Sequence, residues 1–148
     1  MEIERKFLLH RIPENLYAYP CHQIEQGYLC TRPVVRIRRE DENYYLTYKG
    51  KGKMAREEYN LPLTAESYVH LKEKIDGLLI IKTRYLVPLH DGLTAEVDVF
   101  SHPNGGLHLA EVEFESIEEA NAFVPPEWFG EDVTEDGRYH NSFMSGLK

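Results

Sequence analysis

The sequence predicts an α+β protein built on a large antiparallel sheet, and three observations support this. Apolar and polar residues alternate with a period of two along most of the 148 residues, as in half-buried β-strands. Asp41-Glu42-Asn43 and Asp91-Gly92 have the composition of short hairpin turns, which join antiparallel neighbours. Helical periodicity is confined to short segments. Eight strands are predicted, at residues 2–9, 23–29, 34–39, 44–49, 56–61, 79–87, 94–100 and 107–115.

Capping patterns mark the predicted helices between and after these strands. Thr64 can cap a helix that ends at Gly77, because a threonine hydroxyl satisfies first-turn amides and glycine suits the position after a helix. Ser116 and Glu119 form a capping-box pattern for a second, short helix that must end before the following prolines. A weaker helical pattern covers the last ten residues, from 139 onwards.

Composition predicts one soluble, cytoplasmic domain spanning residues 1–148. The apolar share of 42% is normal for a globular protein, and no apolar run approaches the roughly 20 residues of a membrane helix. The first residues are too highly charged for a secretory signal. Two cysteines, Cys21 and Cys30, make neither a disulfide framework nor a zinc-binding pattern.

The charge is distributed unevenly along the chain. The net charge is −8, yet residues 1–88 carry 15 basic and 12 acidic side chains, whereas residues 89–148 carry 2 and 13. An acidic total argues against a nucleic-acid partner, because phosphate-backbone binding requires a positive field. A small polyanion in a local basic pocket remains compatible with it. We therefore expect a small-molecule partner, no nucleic acid or membrane, and a monomer or homodimer.

On most predicted strands every second residue is charged, and the acidic and the basic side chains are concentrated on different strands. Residues i and i+2 of a strand point to the same side, so most strands have one charged and one mainly apolar face. The middle strands carry bases on the charged face: Arg36, Arg38, Lys49, Arg56, Lys82 and Arg84. The first, seventh and eighth strands carry acids: Glu2, Glu4, Glu96, Asp98, Glu111 and Glu113.

Two arrangements can explain this segregation. One is a sheet with its apolar side covered and its charged side in water. However, like charges on neighbouring strands destabilise such a face. If the sheet instead curls so that its ends meet, six carboxylates converge opposite a wall of bases inside it. All-oxygen ligands suit Mg²⁺ or Mn²⁺, and arginine and lysine suit phosphate. We favour this charged interior, with helices covering the apolar outer face.

An ordered motif series supports the second arrangement. Glu2, Glu4 and Lys6 form an E-x-E-x-K motif on the first strand. The series continues through Gln26-Gly27-Tyr28-Leu29, Arg36-x-Arg38, Lys49, Arg56-x-Glu58, Lys82-x-Arg84, Glu96-x-Asp98, Glu111-x-Glu113 and Arg138-Tyr139-x-Asn141. In this series the chain resembles the CYTH domain, the triphosphate tunnel metalloenzyme family.

The resemblance implies an eight-stranded antiparallel β-barrel, a tunnel with a charged interior, flanked by a few helices. It also implies a site in which a divalent metal is required. The implied metal ligands are Glu2, Glu4, Glu111 and Glu113, and the implied catalytic residues are Glu2, Glu4, Lys6 and Glu113. The implied phosphate-binding residues are Lys6, Arg36, Arg38, Lys49, Arg56, Lys82 and Arg84. Arg138 is placed near one tunnel mouth as a further substrate-binding residue.

Three further acids have several possible roles in a site of this family. Glu58, Glu96 and Asp98 can each hold a second metal, orient water, or pair with a phosphate-binding base. We count Glu58 with the substrate-binding residues, and Glu96 and Asp98 with the metal ligands.

The implied function is metal-dependent hydrolysis of a triphosphate, with inorganic tripolyphosphate as the expected substrate and Mg²⁺ or Mn²⁺ as cofactor. Three alternatives use the same tunnel: an adenylyl cyclase, a nucleotide or thiamine triphosphatase, and a polyphosphate-binding module without turnover. The cyclase branch carries a His-Phe pair shortly before its E-x-E-x-K motif, and this sequence has none before Glu2. That departure favours hydrolysis over cyclisation.

Overall fold

The computed structural model describes residues 1–146. Within them the chain forms ten β-strands and three α-helices, joined by turns and single turns of 3₁₀ helix. The strands are β1 (Glu2–Leu9), β2 (Cys21–Thr31), β3 (Val34–Glu40), β4 (Asn43–Lys49), β5 (Ala55–Arg56), β6 (Glu58–Pro62), β7 (Asp76–Pro88), β8 (Thr94–His102), β9 (His108–Glu113) and β10 (Phe129–Asp132). The helices are α1 (Ala65–Lys72), α2 (Ile117–Ala122) and α3 (Asn141–Met144).

The strands form one antiparallel sheet that closes on itself. Its order is β10-β1-β9-β8-β7-β2-β3-β4-β6, and β5 pairs with β1. β1 has β9 along one side; on the other side its first residues pair with β5, through Glu2 and Arg56, and its last residues pair with β10. Because β6 follows β5 directly and pairs with β4, this seam closes the wall as a barrel.

The predicted α+β class and β-barrel are confirmed, with a different strand count. All eight predicted strands are present, but the fifth is divided into β5 and β6 at Glu57. Counted as one, β5 and β6 complete an eight-stranded wall. β10 was not predicted, because its four residues are too few to show alternation. Asp41 and Asp91 both adopt positive φ, as the predicted hairpin turns require.

The predicted helix starts are confirmed, and the first helix is shorter than expected. The Thr64 hydroxyl accepts a hydrogen bond from the Ser67 amide, and the Ser116 hydroxyl accepts one from the Glu119 amide. α1 ends at Lys72 because the chain turns into β7, which begins before the glycine expected to end the helix. Residues 147 and 148 of the predicted C-terminal helix lie outside the described residues, so one domain over 1–148 stays a prediction.

The barrel has a charged interior and an apolar outer face. Lys82 and Asp98 are 0% and 1% exposed, and they alternate with apolar residues that point outward. An outer core forms where α2 and β10 cover β1, β8 and β9, and Phe7 packs there against the rings of Phe123 and Phe129. On the other side α1 covers β3 and β4, with Tyr68 buried beneath it.

A second apolar cluster fills part of the barrel interior. Ile80, Phe100 and Leu109 lie on the inward faces of β7, β8 and β9, beyond the charged positions. Val133 and Met144 from the C-terminal segment pack against them. The charged cavity is therefore bounded on one side by an apolar plug. Among residues 1–146, no helix has the length and apolar character needed to cross a bilayer.

Candidate active site

The barrel encloses one charged cavity of about 120 Å³. Twelve of the fifteen predicted site residues line it: Glu2, Glu4, Lys6, Arg36, Arg38, Lys49, Arg56, Glu58, Arg84, Glu96, Glu111 and Glu113. The three that do not are Lys82, Asp98 and Arg138. Strands β1 to β9 all contribute to this lining, so it requires closure of the barrel.

Three carboxylates form a cluster where β1 meets β9. Glu4 lies opposite Glu113 in the β-ladder, and Glu2 is two residues earlier on the same face. One oxygen from each of these three glutamates lies within 4.8 Å of the others, close enough to share one cation. Oxygen-only ligands of this kind fit a hard divalent cation better than zinc.

Three carboxylates in and beside this cluster, Glu4, Glu113 and Glu96, have raised pKa values when no cation offsets their charge. Burial, with the charges of Glu111 and Glu2, raises the pKa of Glu4 to about 8. Burial and the charge of Glu2 also raise the pKa of Glu113. Burial raises the pKa of Glu96 to about 7. Removing water from several like charges produces this effect, and a bound cation would reverse it.

The bases on β3, β4 and β5 form the facing wall. Arg36 and Arg56 line the cavity, and neither buried Nε makes a hydrogen bond within the described part of the chain; Arg56 Nε lies 3.6 Å from Oε1 of Glu2. A buried donor without a partner destabilises the protein, and a phosphate oxygen supplies the acceptor that is missing. These guanidinium groups therefore fit a bound polyanion.

Arg38 is held in position by a residue not predicted to act in the site. Its Nε donates to Oε1 of Gln26 at 2.8 Å, and Gln26 is fully buried. Burial and the charges of Arg36 and Arg84 lower the pKa of Arg38 to about 10. Two further positive charges nearby make this wall a strong anion site.

The two cavity lysines bridge the walls in this structure. Lys6 Nζ lies 3.2 Å from Oε1 of Glu111 and donates to the backbone carbonyl of Tyr139 at 3.0 Å. Lys49 Nζ lies 3.0 Å from Oε1 of Glu2 and 3.4 Å from Oε2 of Glu58. Each lysine thus forms an ion pair with at least one carboxylate that the sequence predicts as a site residue.

Lys82 and Asp98 form a buried ion-pair network behind the cavity. Asp98 accepts hydrogen bonds from Nε and Nη2 of Arg84 at 2.8 and 3.0 Å, and its Oδ2 lies 2.7 Å from Lys82 Nζ. Burial favours the neutral acid, but the charges of Arg84 and Lys82 outweigh it and lower the pKa of Asp98. Of the three roles open to Asp98, this structure shows pairing with phosphate-binding bases.

Arg138 lies outside the cavity. Its guanidinium binds Asp136 at 2.7 Å, and its side chain is 71% exposed. The neighbouring residues Gly137 and His140 line a pocket beside the cavity. The predicted role of Arg138 in substrate binding stays a prediction.

Five cavity-lining residues were given no catalytic or binding role from the sequence: Tyr28, Val34, Asn60, His140 and Asn141. Asn60 could have been found, because it shares a strand face with Glu58 two residues earlier. Asn141 ends the motif series, so that series was its signal. His140 could not be found, because alternation does not show where a C-terminal segment returns. His140 Nε2–H donates to the carbonyl of Thr134 at 2.9 Å, while burial and the charge of Lys6 lower its pKa to about 4.

The fold and cavity define a class of protein: a β-barrel that can hold a divalent cation and a polyanion together in its interior. A family model described as the CYTH domain matches residues 1–142. The chain therefore belongs to the CYTH domain family, as its motif series predicts. The CYTH triphosphatase family is metal-dependent.

Curated relatives and solved structures agree with this assignment. The chain is 41% identical to an inorganic triphosphatase of Nitrosomonas europaea, over 97% of this chain and 96% of that protein. It is 34% identical to an inorganic triphosphatase of Acetivibrio thermocellus, over 95% and 90%. The crystal structure of the inorganic triphosphatase NE1496 matches with a TM-score of 0.72 at 37% identity, over 99% of this chain and 96% of that one.

Replacing Asp98 with asparagine should strongly destabilise the protein. The change leaves the positive charges of Lys82 and Arg84 buried without their main partner, which costs about 3–5 kcal/mol of unfolding free energy. Urea denaturation at pH 7 measures this loss. Asp136→Asn, which removes a carboxylate from an ion pair at the surface, should leave the midpoint nearly unchanged. A loss for Asp98→Asn as small as for this control would contradict the network.

His140 should contribute to the loss of stability in acid. Its folded pKa lies below the unfolded value of about 6.5, so between pH ~6.5 and about 4 the unfolded state binds more protons. The stability that this group contributes is complete above pH ~6.5 and falls as pH falls, by at most about 1.4 kcal/mol per pH unit, the value for one proton. His140→Gln should flatten the stability–pH curve in that window.

The matched control is His10→Gln, which removes an exposed imidazole. Urea denaturation at several pH values between 4 and 7 gives the slopes. Equal slopes for the wild type and His140→Gln would show that this imidazole titrates alike in both states.

Proposed function

We propose that this protein hydrolyses inorganic tripolyphosphate inside the barrel, with Mg²⁺ or Mn²⁺ bound by the carboxylate cluster. One observation carries the proposal. A three-carboxylate cluster shares a cavity of about 120 Å³ with two buried guanidinium nitrogens, Nε of Arg36 and of Arg56, that make no hydrogen bond within the described residues. A metal–polyphosphate complex provides both missing partners, because its cation binds carboxylates and its phosphate oxygens accept from arginine.

The proposed metal ligands are Glu2, Glu4 and Glu113, with Glu111 and Glu96 beside them. Each is a hard oxygen donor, and the raised pKa values of Glu4, Glu113 and Glu96 support a site that lacks positive charge. A bound divalent cation would neutralise the negative charge that develops on the phosphate oxygens.

The basic wall is proposed to hold the triphosphate in line for reaction. Arg36, Arg38 and Arg56 offer planar forks to phosphate oxygens, and Lys6 and Lys49 offer point charges. When substrate binds, these lysines exchange their carboxylate partners for phosphate and release Glu111 and Glu2. Positioning and charge neutralisation are the main contributions a protein makes to phosphoryl transfer.

The reaction itself needs only water as the second reactant. The water oxygen forms a bond to the terminal phosphorus while the bond from that phosphorus to the bridging oxygen breaks. Orthophosphate and pyrophosphate are the products. Glu96 is proposed to accept the proton of the attacking water, because its carboxylate lines the cavity beside the three-glutamate cluster.

Inorganic tripolyphosphate is preferred over the alternatives on two grounds. Tyr28 and His140 carry the two aromatic rings among the described residues that line the cavity, so a nucleobase or thiamine ring has little surface to stack on. Relatives at 41% and 34% identity are named inorganic triphosphatases. A binding module without turnover gains nothing from so many acids beside its bases. A substrate panel read by phosphate release and by cyclic nucleotide formation separates these functions.

The proposal also includes the setting of the reaction. Cys21 and Cys30 are both free and exposed, which suits the reducing cytoplasm. The proposed partner is a small polyphosphate, not nucleic acid, and the monomeric or homodimeric state stays a prediction.

Glu4→Gln should abolish metal-dependent phosphate release without unfolding the protein. The amide keeps the shape of the side chain but removes the charge that binds the cation, and we expect a loss of at least about 100-fold. Phosphate release from tripolyphosphate in Mg²⁺ or Mn²⁺ measures activity, and circular dichroism checks the fold. Glu118→Gln, an exposed change in α2, is the control.

Two outcomes would contradict the proposal. Full activity in Glu4→Gln would refute the metal site. Tight binding of tripolyphosphate by the wild-type protein with no phosphate release at any metal concentration would refute the enzymatic function.

A further inference from the structure

A second, larger pocket borders the central cavity and is lined by bases. Its volume is about 670 Å³, and it shares Val34, Arg56 and His140 with the cavity lining. Arg32, Lys51 and Lys53 add positive charges, and no acidic side chain among the described residues lines it. We call the pocket formed by Arg32, Lys51, Lys53 and Arg56 the basic vestibule.

The cavity also borders a pocket of the opposite charge. Glu96 and Glu113 line both the cavity and this neighbouring pocket, to which Asp91, Glu115 and Glu119 also contribute. No base lines it among the described residues, and it shares no residue with the basic vestibule. A polyanion that extends beyond the cavity is therefore repelled on the acidic side and attracted on the basic side.

The central cavity itself leaves little room for a longer chain. Its volume is about 120 Å³, against about 670 Å³ for the pocket beside it. The larger pocket is therefore the space open to phosphoryl groups beyond the first three. Arg56 lines both the cavity and the vestibule. Its guanidinium therefore connects the phosphate-binding bases of the cavity with the bases of the vestibule.

The loop that carries the vestibule lysines is anchored to the barrel. Lys53 Nζ donates to the backbone carbonyl of Glu135 at 3.0 Å. Gly52 adopts φ +113°, and a Cβ there would lie 2.4 Å from the carbonyl oxygen of Ala55, so this turn requires glycine. The lysines on both sides of Gly52 are thus held beside the opening of the cavity.

We propose that the basic vestibule binds the distal phosphates of linear polyphosphates longer than three units, while their terminal phosphates occupy the cavity. This inference rests on the proposed function and extends its substrate class. The vestibule then acts as a subsite that distinguishes substrates by chain length. It stabilises the bound state of tetrapolyphosphate and longer chains, and it makes no contact with bound tripolyphosphate.

The test compares chain lengths in matched charge variants. Lys51→Gln removes one vestibule charge, and Lys74→Gln removes one exposed charge after α1, away from the cavity and the vestibule. For tetrapolyphosphate and a longer linear polyphosphate, Lys51→Gln should lower kcat/KM about threefold, the effect of one exposed charge. The double change of Lys51 and Lys53 to glutamine should lower it roughly tenfold. Tripolyphosphate should be hydrolysed by all variants as by the wild type.

Several results would overturn the subsite. An equal loss for all chain lengths would mean that the lysines only attract anions in general, and no loss for any chain would mean that the vestibule binds none. If the wild-type protein hydrolyses no tripolyphosphate, the proposed function fails separately. In that case calorimetry of tetrapolyphosphate binding still tests the subsite, since unchanged affinity in the double variant would refute it.

Discussion

Burial of paired charges inside the barrel is the constraint on which the rest of the structure depends. Asp98 binds both Lys82 and Arg84 in a site with almost no exposure to water. Separating such a group from its partners leaves an uncompensated buried ion, which is far more costly than leaving the pair intact. The network therefore aligns β7 and β8 and directs Arg84 towards the acids of the cavity. Separating Asp98 from Lys82 and Arg84 would cost folding free energy, so these ion pairs hold the wall of the cavity in place.

A charged interior places the apolar face of the sheet on the outside, and this explains the elements around the barrel. Phe7 points away from Lys6 and packs under Phe123 and Phe129, so α2 and β10 are needed to cover β1. The same covering keeps Glu4 and Lys6 facing inward. The outer face of these strands therefore packs in the apolar core, while the inner face carries the residues proposed to bind substrate.

Strands and their faces could be predicted because alternation is a local property. The sign of the charge at each second position was enough to indicate that Glu2, Glu4 and Glu113 face the bases of the middle strands. What escaped prediction depends on contacts between distant segments. Four residues of β10 have no pattern of their own, and nothing local shows that His140 returns to the cavity. Local pattern also does not distinguish Asp98, paired behind the wall, from Glu96 at its surface.

In the proposed site one cavity holds a cation on its acidic wall and a triphosphate on its basic wall. Crystals grown with Mn²⁺ and tripolyphosphate, with anomalous scattering recorded for manganese, test this arrangement directly. We expect a manganese peak among the carboxylates of Glu2, Glu4 and Glu113, with phosphate oxygens within hydrogen-bond distance of Arg36 and Arg56. A manganese peak away from these glutamates, or a triphosphate bound only outside the barrel, would contradict it.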